Sequence, residues 1–241
     1  MPPLSVIIPA YNEEPNIVEA IEDVLKDVAS VVPDAEIIVI DDGSRDRTAA
    51  LVAEMAARIA HIVLVRQPNR GHGAALMHGL AKATGEWIFL IDSDRQVSLA
   101  PFAQHWAMTK SQDVILGLRR PRRDPFHRQI ISLAMRLLLR ARLGVALTDA
   151  GAPYKLFRAE LWRDVRPALR DNCWIPSVLI AARALQRKDL RVKEIAIEHR
   201  PRSHGPSTLN LRRLVSFCRE GVSDVEHFRA HADPGAEPRR G

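Results

Sequence analysis

Leu4-Ser5-Val6-Ile7-Ile8-Pro9-Ala10-Tyr11-Asn12-Glu13 is a short, β-branched apolar run that meets a proline and gives way at once to polar side chains. Such a run predicts a buried strand over residues 4–8, closed by Pro9. Downstream, Ile17, Ala20, Ile21, Val24 and Leu25 recur at helical spacing and predict a helix over 16–29. Ile37 to Ile40 is a second buried strand, ending in Asp41-Asp42-Gly43-Ser44. Ser44 and Asp46 are placed there to cap a helix running to about Ala60. Ile62 to Val65 and Trp87 to Ile91 read as further strands, with a helix over 73–84 between them. The last of these strands ends in Asp92-Ser93-Asp94.

Strands alternating with helices of this length predict an α/β fold, Rossmann-like, with a mostly parallel, doubly wound sheet flanked by helices. Ligands of such sheets bind beyond the carboxyl ends of the strands. Those ends carry Tyr11-Asn12-Glu13, Asp41-Asp42 and Asp92-x-Asp94, so acidic residues converge on one rim from three strands. Beyond them, Asp113 to Leu118 reads as another strand and Arg119 to Phe126, rich in Arg and Pro, as a loop. Phe126 to Leu143 has the pattern of a basic amphipathic helix. Thr148 to Phe157 reads as a turn and a short strand, Ile175 to Gln186 as a helix, and Arg191 to His199 as a strand. Leu209 to Phe228 would close the fold, and Ala230 onward reads as a frayed polar tail. The expected organisation is one domain over 1–230, in halves over 1–98 and 99–230, with a flexible tail over 231–241.

The 241 residues are 46% hydrophobic and 27% charged, enough apolar matter for a substantial core in a soluble chain. Aromatics make up only 5%, which disfavours a stacking surface for single-stranded nucleic acid, and nucleic acid is not expected as a partner. Cys173 and Cys218 lie far apart, so neither a zinc site nor a disulfide framework is expected, and a reducing cytoplasm suits the chain. The first residues lack the pattern of a signal peptide. No stretch reaches the ~18–20 apolar residues that span a bilayer. The longest candidate, Ile130 to Leu143, is broken by Arg136, Arg140 and Arg142, so any membrane would be met from its surface.

The net charge of +6 is concentrated in Arg119, Arg120, Arg122, Arg123 and Arg128, and again in Arg200, Arg202, Arg212 and Arg213. These clusters read either as solvated faces or as phosphate-binding forks.

Asp92-Ser93-Asp94-Arg95-Gln96 carries the strongest chemical signal. Two carboxylates two residues apart at a strand end can share a hard cation, and Gln96 offers a neutral oxygen. An oxygen-rich set of this kind suits Mg²⁺ or Mn²⁺, which keep waters and take further ligands from substrate phosphates. An acidic turn after a strand is common, however, and taken alone the triplet is weak. Gly71-His72-Gly73 opens a helix with Asp92 about twenty residues on, but Leu76 stands where a dinucleotide fingerprint needs its third glycine.

Taken in order, Ser5 to Glu13, Asp41-Asp42-Gly43-Ser44-x-Asp46, Asn69-x-Gly71-x-Gly73-Ala74 and Asp92-x-Asp94-x-Gln96 resemble the family 2 glycosyltransferases of GT-A fold. The resemblance covers roughly the first hundred residues in the family's order and spacing. Gly117-Leu118-Arg119, the Arg-rich stretch to Arg128, Tyr154-Lys155-Leu156-Phe157-Arg158 and Arg202-x-x-Gly205-x-Ser207 look like later landmarks of the polyprenyl-phosphate (dolichol-phosphate) mannosyl- and glucosyltransferases. Thr208 stands where that last motif usually has a lysine.

The resemblance implies a GT-A domain with a C-terminal acceptor-side segment and an inverting hexose transfer from a nucleotide diphosphate sugar, of GDP-mannose or UDP-glucose type, to polyprenyl phosphate. Pro9, Tyr11, Glu13, Ile40 and Asp42 would hold the base and ribose. Asp92, Ser93 and Asp94 would sit at the ribose, diphosphate and metal, with Gln96 completing the metal shell. Arg119 and Arg202 would face the donor phosphates, and Arg119, Arg122, Arg123 and Arg128 the acceptor phosphate. Asp92, Asp94, Arg119 and Asp149 would be the catalytic set, Asp149 serving as base if the acceptor is a hydroxyl.

Plainer readings stand beside these. Tyr11 could pack on the first helix and Asn12 cap it; Asp41, more than Asp42, could cap the second. Gly71 and Gly73 could be a backbone turn, and Tyr154 to Arg158 a core strand with Lys155 and Arg158 exposed. Helix 126–143 could meet lipid, or pack on the core or on a second subunit as a homodimer. The enzyme would be cytoplasmic, either free or peripheral on the cytoplasmic membrane face. The alternatives are a family 2 enzyme with a sugar or small-molecule acceptor and a catalytically inactive nucleotide-sugar-binding protein.

Overall fold

A computed structural model describes residues 3–121, 126–200 and 211–232. The strands are β1 (Leu4–Ala10), β2 (Glu36–Asp41), β3 (Ile62–Arg66), β4 (Trp87–Leu90), β5 (Val114–Arg119), β6 (Lys155–Arg158) and β7 (Val192–Ile197). Between them run α1 (Ile17–Val24), continued as a π-helical turn over Leu25–Ala29, then α2 (Thr48–Ala56), α3 (His72–Lys82) and α4 (Phe102–Ala107). The remaining helices are α5 (Phe126–Leu143), α6 (Ala159–Val165), α7 (Pro176–Gln186) and α8 (Leu211–His231).

All seven strands form one sheet in the order β3-β2-β1-β4-β6-β5-β7. β1 pairs in parallel with β2 and β4, β2 with β3, and β5 with β7, while β6 runs antiparallel to both β4 and β5. The sheet is therefore parallel throughout except for one inserted strand. Its centre is buried on both faces, as β1 and β4 show by being buried at every residue. Continuous apolar runs, rather than alternation, are what such strands require. Ile7, Ile88, Leu90, Leu116 and Phe157 pack under the later helices. Val6, Ile8, Val39, Phe89 and Ile115 pack on the opposite face with Ile17, Ile21, Val24 and Val52.

Several expectations change. β1 continues through Pro9 to Ala10 instead of stopping. The carbonyl of Pro9 faces β4, whose ladder with β1 has ended at the Ile7–Leu90 pair, so no ladder bond is lost to the missing N–H. α4 and α6, six and seven residues long, lie where no helix is expected. α2 ends at Ala56, and α8 includes Ala230 and His231 rather than fraying there. The N-cap of α2 is Arg47 and no side chain caps it: Asp46 Oδ1 accepts the N–H of Thr48, the first helical residue, at 3.0 Å, and Ser44 accepts from the Asn12 N–H. Lys155, read as an exposed strand residue, is 3% exposed. β6 has sheet neighbours on both sides and helices over its faces, so it has no outward face. Among the described residues no helix is long and apolar enough to cross a membrane.

Candidate active site

The chain runs from β1 outward to β2 and β3, then returns to place β4 on the other side of β1. This reversal makes the carboxyl ends of β1 and β4 the switch point where open α/β sheets bind ligands. Tyr11, Asn12 and Glu13 follow β1 there, and Asp92, Ser93 and Asp94 follow β4. The Ser93 hydroxyl donates to the Pro9 carbonyl at 3.0 Å and ties the two strand ends together from a buried position.

The loop after β1 is fastened to the loop after β2. Asn12 sits at φ 52°, in the left-handed region that asparagine tolerates. Its amide oxygen accepts from the Arg45 N–H at 2.8 Å. The Glu13 N–H donates to the Thr48 hydroxyl at 2.9 Å, and the buried Glu13 carboxylate accepts from the Asn16 side-chain amide at 2.7 Å. Glu14 closes the zipper, its N–H donating to Asp46 and its carboxylate accepting from the Arg47 N–H. Asn12 thus joins two loops and does not cap α1, whose N-cap is Asn16.

Asp41 and Asp42 part company at the end of β2. Asp41 Oδ1 accepts from the Ser44 N–H at 3.1 Å. Asp42 Oδ1 accepts from the Gln67 side chain at 2.7 Å and the Arg70 N–H at 2.9 Å, and its Oδ2 accepts from the Gly71 N–H at 2.8 Å. Neither caps α2. Asp42 instead holds the loop before α3, where Gly71 takes φ 92° and serves the backbone turn. At Gly73 a Cβ would lie 2.7 Å from the Trp174 Cα, so α3 abuts the 173–174 segment there. The Ile40 side chain is in the core with Ile38 and Ala75. Tyr11 is half-buried at the rim.

The Asp92–Gln96 turn is latched on both sides. Arg95 sits at φ 58°, and its guanidinium reaches back to α1, donating to Asp23 at 2.8 Å and pairing with Glu19. Asp94 Oδ1 accepts from the Gln96 N–H at 3.1 Å. Gln96 pairs with the segment after β7: its carbonyl accepts from the Arg200 N–H at 2.7 Å, and its side-chain amide donates to the Arg200 carbonyl at 3.2 Å. Val97 and His199 form a bridge beside them. Asp92 Oδ1 lies 3.8 Å from His72 Nε2 at the start of α3. Asp92, Asp94, Asp23 and Arg95 line one small cavity with Tyr154.

Across the rim, Arg119 at the end of β5 makes a two-pronged pair with Asp149. Its Nε and Nη2 each donate at 2.8 Å, and its N–H also donates at 3.2 Å. The side chains are 11% and 4% exposed. Lys155 lies in register with Leu90 of β4 and Leu116 of β5, and its ammonium donates to the Ala152 carbonyl. Burial pushes its pKa down to about 8, opposed by the charges of Asp149 and then Asp92. Behind the rim, buried Tyr154 is hydrogen-bonded to His105 at 2.7 Å.

The structure therefore gathers Pro9, Tyr11, Glu13, Asp42, Asp92, Ser93, Asp94 and Gln96 on one rim and pairs Arg119 with Asp149 beside it. Arg122, Arg123, Arg202 and Thr208, and the side chain of Arg128, lie outside the described residues. Lys155, Arg95 and His72 stand inside motifs quoted from the sequence but carried no expected role at the site. Arg95 had a signal of its own, since a cation inside an acidic turn needs a partner and Glu19 and Asp23 share one face of the adjacent helix.

Among the described residues no group of three or more His, Cys, Asp or Glu is placed to hold a metal. Asp92 and Asp94, which line one cavity, are nonetheless oxygen donors of the kind that a hard cation takes together with water and substrate phosphates.

Comparison with known proteins agrees with this arrangement. The family model described as glycosyl transferase family 2 matches residues 5–165. The chain is 29% identical over 219 residues to an undecaprenyl-phosphate 4-deoxy-4-formamido-L-arabinose transferase of Pseudomonas fluorescens, covering 89% of this chain and 62% of that protein. It is 30% identical over 219 residues to a dolichyl-phosphate beta-glucosyltransferase of Trichomonas vaginalis, covering 81% of this chain and 65% of that one. The chain thus spans less than two thirds of the length of either relative. Among solved structures, glucosyl-3-phosphoglycerate synthase of Mycobacterium tuberculosis, crystallised with Mn²⁺ and UDP-glucose, superposes with TM-score 0.64 at 21% identity, over 98% of this chain and 82% of that one. TarS (residues 1–349) of S. aureus superposes with TM-score 0.62 at 19% identity, over 92% of this chain and 66% of that one. These two likenesses establish the shared GT-A fold. With two thirds of its length matched by the family model, the chain belongs to the family 2 glycosyltransferases.

Proposed function

We propose that the chain transfers a hexose from a nucleotide diphosphate sugar, of GDP-mannose or UDP-glucose type, to polyprenyl phosphate, with inversion and with the help of Mg²⁺ or Mn²⁺. The observation that carries this reading is the meeting of the β1 and β4 rim acids at the switch point, with the buried Arg119–Asp149 pair beside them. The names of the relatives support the acceptor class, and the Mn²⁺ and UDP-glucose of the M. tuberculosis synthase support the donor class and the metal.

In this reading Tyr11, Glu13 and Asp42 border the base and ribose, and Asp92, Asp94 and Gln96 hold the cation. When bound, the cation offsets charge on the leaving diphosphate. Arg119, held by Asp149 through Nε and Nη2, brings its guanidinium charge to phosphate oxygens. A phosphate acceptor is already anionic and needs no strong base, which agrees with an Asp149 committed to Arg119. A hydroxyl acceptor would need that carboxylate free to take a proton.

α5 offers the way to the lipid. Met135 and Leu139 are buried, while Ile130, Leu133 and Leu137 are 51%, 47% and 58% exposed along one line of the helix. Exposed Arg140 lies on the same helix. An apolar stripe beside cations suits an interfacial helix on anionic lipid.

The test is a transfer assay with Mn²⁺, a panel of labelled nucleotide sugars and undecaprenyl or dolichyl phosphate. Label should move into the lipid fraction from one donor. Binding of a donor without transfer to any acceptor would identify an inactive binding protein, and transfer only to a hydroxyl acceptor would favour the small-molecule reading.

A further inference from the structure

Lys155 is the one buried lysine of the rim, and the functional reading leaves it without a task. It opens β6, the antiparallel strand, so it lies beside Leu90 at the carboxyl end of β4 and beside Leu116 in the middle of β5. Its ammonium holds the carbonyl of Ala152 in the turn that starts at Asp149. Arg119 anchors the first residue of that turn through Asp149, while at its far end the Ala152 N–H donates to the Asp149 carbonyl at a long 3.3 Å. Through space Lys155 is attracted by Asp149 and Asp92 and repelled by Arg119, so charges of both signs meet at this buried point.

We propose that Lys155 is a positioning residue that joins the two halves of the site, holding the 149–152 turn while its charge offsets Asp92 before a divalent cation arrives. The metal half of this inference rests on the functional reading above; the turn half does not. Two consequences oppose each other. A fixed cation near Asp92 weakens the hold of the rim on a free divalent cation, because like charges repel in a poorly solvated site. The same cation keeps Asp149, and through it Arg119, in place. Removing it should tighten the metal and loosen the turn.

Two variants separate these roles. Lys155→Met removes both charge and donor, whereas Lys155→Gln removes the charge but keeps an N–H for the Ala152 carbonyl. Thermal melts establish that each variant folds. Binding of Mn²⁺ alone, followed by electron paramagnetic resonance, should tighten on the order of ten-fold in both. Hydrogen exchange at the amides of residues 149–152 should quicken on the order of ten-fold in the Met variant and return towards wild type in the Gln variant.

Unchanged or weaker Mn²⁺ binding in both folded variants would overturn the electrostatic role, and unchanged exchange in the Met variant would overturn the turn-holding role. A loss of packing alone would weaken the metal, not tighten it. Wild-type protein that binds no Mn²⁺ even with UDP or GDP would count against the functional reading instead, and the exchange experiment would still decide what Lys155 does for the turn.

Discussion

Asp149 accepts from both prongs of the Arg119 guanidinium and from the Arg119 N–H, so its carboxylate orients a cation. Asp149→Asn removes the Asp149 charge from a guanidinium that is 11% exposed. Breaking a buried pair in this way costs about 3 kcal/mol of stability, measurable by denaturant unfolding. Transfer should slow on the order of 10²-fold through misplacement of Arg119, with the shape of the pH–rate profile kept. Loss of one ionisation from that profile would assign Asp149 as a base.

The sequence made the rim acids legible because each ends a recognisable strand. It hid Lys155, because a lysine in a strand reads as outward-facing until the strand is known to have neighbours on both edges. Asp42 shows the same limit. Its position at the rim was readable, but its hold on the Arg70 and Gly71 amides joins residues 28 and 29 positions apart.

Among the elements, β5 is clasped to its neighbours by Asp113. This carboxylate accepts from Arg191 at the start of β7 at 2.9 and 3.1 Å, and from Arg158 at the end of β6. The Arg191 guanidinium is the main reason its pKa falls from 3.8 to about 2. A depressed carboxylate stabilises the fold above its unfolded pKa and loses that contribution as pH falls through the folded value. With Arg191 open to solvent, Asp113→Asn should therefore cost about 1 kcal/mol at pH 7, with the gap to wild type closing between pH 4 and pH 2.

α5 belongs to this scale too. Replacing Ile130, Leu133 and Leu137 together with serine should leave the melting temperature within a few degrees, since all three are exposed. Flotation with anionic vesicles should fall several-fold. Flotation equal to wild type would remove the helix from the membrane reading. The first four strands and three helices were readable from local periodicity. β6 was readable as a short strand but not as antiparallel, because strand direction is set by pairing with β4 and β5 rather than by its own four residues. α4 and α6 were not readable, being too short to show a period.

At the scale of the molecule, one sheet brings two kinds of chemistry to a single edge. The strands β1, β2 and β4 deliver carboxylates, and β5 and β6 deliver Arg119 and Lys155. The loops between are cross-linked by Asn12, Glu13, Asp42, Ser93 and Arg95, so the edge is built before any ligand arrives. The central claim is that this edge binds a nucleoside diphosphate through a divalent cation held by Asp92 and Asp94. Titration calorimetry of UDP and GDP against the wild-type chain and Asp94→Ala, each in Mn²⁺ and in EDTA, tests it most directly. One nucleotide should bind the wild type in Mn²⁺, and EDTA or Asp94→Ala should weaken that binding at least ten-fold. Equal affinity with and without metal, or in the variant and the wild type, would contradict the claim.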